Sequence, residues 1–150
     1  MSRRNGRVIA FQALYSWDAS RVPLEELLAF SWLQKDDELR SDKPAAEPSE
    51  TAKEERTFAS LLIAGAIEHI EEIDKLIVEH LSPSWSMERI NKVTLAILRV
   101  SIYEMKFQNF AQSGIVIDEA VNIAKNYGPD DSYKFVNAIL DKIGKDEKSE

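Results

Sequence analysis

The chain is expected to be all-α, with about seven helices in two packed sub-bundles. Three observations point there. No segment alternates apolar and polar residues with period two for long enough to make a confident strand; "SGIVID" is locally strand-like but runs straight into helical periodicity. Several segments place apolar residues three and four apart, which puts them on one helical face. Two segments, one in each half, are apolar nearly all round, as helices surrounded by other helices are.

The first of these runs from about Arg3 to Asp18. From Val8 onward only Gln12 and Ser16 form a narrow polar strip. Arg3, Arg4 and Arg7 precede every acidic residue in the chain. Charges are rarely buried unpaired, so this first turn is expected to project beyond the core. Three cations at a helix N-terminus oppose its dipole. They serve either an anionic partner or a frayed, solvated start.

Pro23 suits the first position of a second helix, which carries Leu24, Leu27, Leu28, Phe30 and Leu33 to about Gln34. Residues 35–56 are charged, contain Pro44 and Pro48, and read as a flexible surface loop. A long helix then starts near Ser49 or Thr51. Its stripe of Phe58, Leu61, Leu62, Ile63, Ile67, Ile70, Ile73, Ile77 and Leu81 shifts around Gly65, where a missing side chain allows close helix contact. "SPSWSMER" breaks the pattern and begins a short helical turn. The second all-apolar helix covers about Asn91 to Phe107, and Arg99 inside it calls for a carboxylate such as Glu104 or Glu119.

The last third is a helical hairpin. Val116, Ala120, Ile123, Ala124 and Tyr127 share one face; Gly128 suits a left-handed helix end, and Pro129 cannot continue the helix. Asp130 or Asp131 is expected to cap the next helix, which buries Val136, Ile139, Leu140 and Ile143 and stops at Gly144. Phe135 lies at the margin of that stripe, with Lys134 and Asn137 toward the polar side. The turn is either a binding edge or a hairpin with solvated ends.

The totals exclude several functions. The 150 residues amount to about one domain. No apolar run approaches the roughly 20 residues that span a bilayer, and the N-terminus lacks a secretory signal. The absence of cysteine removes disulfides, thiolate catalysis and cysteine metal sites, and fits a cytoplasmic protein. The net charge of −7 argues against non-specific nucleic-acid binding by the whole surface, while leaving room for a local basic patch. His69 and His80 are separated by about 16 Å of helix, too far to share a metal ion. The scattered glycines form no phosphate loop, and no carboxylate pair is singled out for acid–base work. The composition points to a binding protein with no catalytic residues, no metal and no cofactor.

"RRNGRVIAFQALYSWD", "LLIAGAIEHIEEID", "LAILRVSIYEM", "IVIDEAVNIAKNYG" and "DDSYKFVNAILDKI" occur in the order seen in the NusB family of transcription antitermination proteins, and the chain resembles that family over most of its length. Residues 35–56 carry no match. The resemblance implies a single all-helical NusB-like domain over 1–150. It implies binding of the boxA element of ribosomal-RNA leader transcripts together with NusE, a ribosomal small-subunit protein. Other Nus factors and RNA polymerase complete the assembly, and some relatives form a homodimer that hides the RNA surface. By resemblance, Arg3, Arg4 and Arg7 form one part of the RNA surface, and Asp131, Ser132, Lys134 and Phe135 the other. Tyr15 falls at the protein-partner interface. Thr94 and Leu95 stand where the family commonly has an acidic–basic pair, which weakens any partner contact at Thr94. NusB-like domains also begin certain ribosomal-RNA cytosine methyltransferases, but those need a cysteine and a further α/β domain. A helical interaction module without RNA binding is the remaining alternative.

Overall fold

The computed structural model describes residues 3–33, 49–108 and 111–148. Among the described residues the α-helices include α1 (Arg3–Ser20), α2 (Leu24–Ala29), α3 (Glu50–Glu68), α4 (Ile70–His80), α5 (Lys92–Tyr103), α6 (Ser113–Tyr127) and α7 (Ser132–Lys148). A 3-10 turn, Met87–Arg89, precedes α5, and a π turn, Glu104–Gln108, follows it. The all-α expectation holds, and α5 is central as expected; α1 buries Ala10, Phe11, Ala13 and Leu14 but leaves Tyr15 exposed. α1 packs on α3 and α5. Every residue of α5 from Thr94 to Ile102 is buried, against α1, α3, α4, α6 and α7.

Contacts fix the directions of the helices. Arg7 meets Glu104 and Asp18 meets Lys92, so α1 and α5 are antiparallel. Arg4 meets Glu119 and the Phe11 ring lies 5.3 Å from that of Tyr127, so α1 and α6 are parallel. One end of the molecule therefore carries the start of α1 and the π turn. The other carries the α6–α7 turn and the start of α5.

Several boundaries differ from the sequence expectation, each for a tertiary reason. The second helix breaks at Phe30, which takes a left-handed φ of 57° and so buries its ring. The Trp32 indole N–H then donates to the Leu27 carbonyl at 3.1 Å. The long third helix is two helices, broken at His69. The His69 ring stacks 4.3 Å from Phe107, and Tyr103 sits against Gly65 where any Cβ would overlap its ring. The turn lets Phe58, Leu62 and Ile63 on one side and Ile73 and Ile77 on the other reach the core, while Leu61 stays exposed. The long helix starts where expected, with Ser49 capping α3 by accepting from Ala52 N–H, so residues 50–56 of the expected charged loop are helical; residues 34–48 lie outside the described residues.

The hairpin is corrected in three places. Gly128 is extended, at φ −86° and ψ 170°, and the left-handed residue is Asp131 at φ 65°. Glycine is needed at 128 because a Cβ would come within 2.9 Å of the Ala124 carbonyl oxygen and 2.5 Å of Ser132 Oγ. Neither aspartate side chain caps α7; backbone turns close it, with Ser132 N–H donating to Pro129 and Lys134 N–H to Asp131. Gly144 does not stop α7, which runs on to Lys148. The face of Val136, Ile139, Leu140 and Ile143 is buried as expected.

Candidate RNA and protein interface

The arginine-bearing first turn of α1 divides into three situations. Arg3 is exposed, its guanidinium 5.7 Å from the Phe58 ring. Arg4 is 56% exposed but engaged: its Nε and Nη2 donate to Glu119 at 2.9 and 3.1 Å. Those bonds hold the Glu119 carboxyl below the usual carboxylate range, against the opposing effect of its partial burial. Arg7 is the correction. Expected on a phosphate-binding surface, it is only 6% exposed, and its Nε and Nη2 donate to Glu104 at 2.7 and 2.6 Å. The partner carboxylate is supplied by the π turn that follows α5, so the charge is buried without being unpaired.

Arg99 also has partners other than those expected. Its Nε and Nη2 donate to the Asp74 carboxylate, both at 2.9 Å, and its Nη1 lies 3.5 Å from Asp18. Glu104 and Glu119, the expected partners, are taken by Arg7 and Arg4.

At the opposite end, Phe135 is half-buried: it packs against the core and also lines two open depressions. Lys134 is exposed, its Nζ 3.6 Å from the Asp131 carboxylate. Asp131 and Ser132 line the larger depression. Ser132 Oγ is nevertheless buried beside Gly128 without a hydrogen-bond partner. At ~1.5 Å per residue, Thr94 and Glu104 stand about 15 Å apart along α5. The two parts of the expected surface are thus not one patch: the arginines and the hairpin edge lie at opposite ends of the molecule.

Tyr15 lies between these ends. It is 41% exposed, in a groove of about 280 Å³ whose walls include Phe11, Gln12, Ser16, Trp32 and Tyr127. The polar strip of α1 forms part of that wall. Thr94 does not line this groove; it is 3% exposed and lines the hairpin depression. Phe11, Trp32 and Tyr127 went unnoticed as groove residues because periodicity assigns aromatics to the core. Trp85 and Arg89 were missed at the hairpin edge, although an aromatic and a cation four apart in a Ser/Pro-rich turn are a recognisable pair.

Among the described residues no helix is long and apolar enough to cross a membrane, and no three His, Asp or Glu side chains converge on a metal site. The model of the NusB family matches residues 4–145. A transcription antitermination protein NusB from Treponema denticola is 46% identical over 143 residues, covering 95% of this chain and 96% of its own. The structure of T. maritima NusB superposes with a TM-score of 0.76 at 35% identity, over 97% of this chain and 92% of that one. A chain from the crystal structure of antitermination factors NusB and NusE in complex with dsRNA gives a TM-score of 0.77 at 29% identity, over 96% of each chain.

Proposed function

The chain belongs to the NusB family of transcription antitermination factors, which are not enzymes, and we propose that it binds RNA together with NusE. The RNA is the single-stranded boxA element of ribosomal-RNA leader transcripts, and the complex acts in the cytoplasm with other Nus factors on RNA polymerase.

The observation that carries this reading is the placement of Phe135. A phenylalanine at the edge of an apolar stripe can be core, platform or both, and here it packs against the core while also bordering two open depressions. Single-stranded RNA is held by aromatic faces under splayed bases and by cations on phosphates. Phe135 supplies the face, with Lys134 exposed beside it. Arg3 and Arg4 supply phosphate contacts at the far end, so one strand crosses the molecule past the Tyr15 groove. NusE occupies that groove, where Tyr15 offers an amphipathic aromatic.

Titration of a labelled boxA-like RNA, with and without NusE, tests the reading. Binding is expected in both cases and tighter with NusE. A folded protein that binds NusE but no RNA would instead be a helical interaction module, the reading favoured by the engagement of Arg4 and Arg7 with carboxylates.

A further inference from the structure

The link between α4 and α5 holds an indole out of the core. Trp85 is 41% exposed, yet the segment around it is fixed. Trp85 N–H donates to the Ser82 carbonyl at 3.0 Å, Arg89 N–H to Ser86 at 3.1 Å and Ile90 N–H to Met87 at 3.1 Å. Ile90 itself is buried and pins the end of the link to the core. The exposed indole is therefore presented on a braced turn, at a hydrophobic cost that burial against a ligand would remove.

Its surroundings are cationic and aromatic. The Arg89 guanidinium carbon lies 5.0 Å from the centroid of the indole. The Phe135 ring lies 6.3 Å away, tilted by 45°. Trp85 and Phe135 both line two adjoining depressions. One, of about 260 Å³, is also lined by Leu81, Ala138, Ile139 and Lys142. The other, of about 380 Å³, is also lined by Arg89, Asp130 and Asp131.

We propose that Trp85 and Arg89 form a second base-binding position for single-stranded RNA, continuous with Phe135. The proposal rests on the RNA-binding reading above. One base stacks on Phe135 and its neighbour on the indole, because any base offers a π face to an aromatic ring. Arg89 and Lys142 take the phosphates. Asp130 and Asp131 repel phosphate from their part of the wall and accept hydrogen bonds from base N–H groups. A purely apolar peptide would use the apolar lining but would leave a guanidinium desolvated above the indole.

The test follows tryptophan emission while a boxA-like single-stranded RNA is titrated into the protein bound to NusE. RNA should quench the unaltered protein. Trp85→Ala should bind RNA about tenfold or more weakly, the usual worth of one base stack. Its melting temperature should be nearly unchanged, as the side chain is exposed. Trp85→Phe should keep most of the affinity and lose most of the quench. Arg89→Ala should flatten the log–log salt slope by roughly 0.7. Wild-type RNA affinity in Trp85→Ala, or no RNA-dependent change in emission, overturns the second position while leaving RNA binding intact. Loss of NusE binding in Trp85→Ala with RNA binding unchanged reassigns the indole to a protein contact and also overturns it. Failure of the unaltered protein to bind RNA overturns the function itself.

Discussion

Arg7 and Glu104 face each other across α1 and α5, each nearly excluded from solvent. Removing one member leaves the other buried and unpaired, which typically costs 3–5 kcal/mol. Arg7→Ala should therefore destabilise the protein by about that amount in urea unfolding, whatever its effect on RNA. Replacing both, as Arg7→Met with Glu104→Leu, should restore most of the loss, since well-packed apolar side chains often substitute for a buried pair. A stable Arg7→Ala protein with specifically weakened RNA binding would return Arg7 to the phosphate-binding set. Gly144 gives a prediction of the opposite sign. It lies inside α7, and a Cβ there would meet Met105 Sδ at 3.8 Å and Ile117 Cδ1 at 3.9 Å, ordinary contact distances. Gly144→Ala should stabilise by about 0.5–1 kcal/mol and raise the melting temperature. A fall would mean that α7 packs more tightly there than those distances allow. At this scale the sequence was legible for faces and silent about partners. Val136, Ile139, Leu140 and Ile143 could be read from spacing alone, because helix periodicity is local. The pairing of Arg7 with Glu104 joins residues 97 apart, and no local pattern encodes it.

Between elements, the link from α1 to α6 is a surface ion pair with a defined titration. The guanidinium of Arg4 holds the Glu119 carboxyl below its ordinary value, chiefly by hydrogen bonding. A group whose folded pKa is depressed contributes stability that is complete above its unfolded pKa, about 4.3 for glutamate. That contribution is lost as pH falls through the folded value. The stability difference between the natural chain and Glu119→Gln should thus be constant from neutral pH to about 5, then shrink with further acidification. A difference that is flat down to pH 3 would show that the pair contributes nothing through charge. The helix breaks at Phe30 and His69 also belong to this scale. Apolar residues continue through both positions, so spacing alone reads one helix. The chain turns because a buried Phe30 ring, and a His69 ring stacked on Phe107, are satisfied only by leaving the helical path. The same holds at Gly128: the glycine itself was readable, but its reason is the nearby Ser132 and Ala124, not a left-handed φ.

Over the whole molecule, the functional surfaces follow the two ends and the groove between them. Tyr15 is exposed, so Tyr15→Asp should leave the fold intact and weaken NusE binding, because the charge must be desolvated at an interface core. Pull-down or calorimetry with NusE checks this, and a folded Tyr15→Asp protein with normal binding removes the groove from the interface. The separation of the arginine end from the hairpin end gives the last prediction. Phosphate contacts release counterions, so each contributes about −0.7 to the log–log salt slope for a single strand. With Arg7 buried, Arg3 and Arg4 remain at the first end, and each removed singly should flatten the slope by roughly 0.7. Phe135→Ala acts at the other end and by another force. It should cost about 1–3 kcal/mol of RNA affinity, the worth of a base–aromatic stack, with the slope nearly unchanged. Because the two sites lie at opposite ends of the molecule and share no partner, the effects of Arg4→Ala and Phe135→Ala should add within about 0.5 kcal/mol in the double variant. Strong non-additivity would mean that the strand does not bridge the ends and that one of them acts through the fold. A melting temperature lowered by Phe135→Ala, with affinity per folded molecule unchanged, would assign that ring to the core after all.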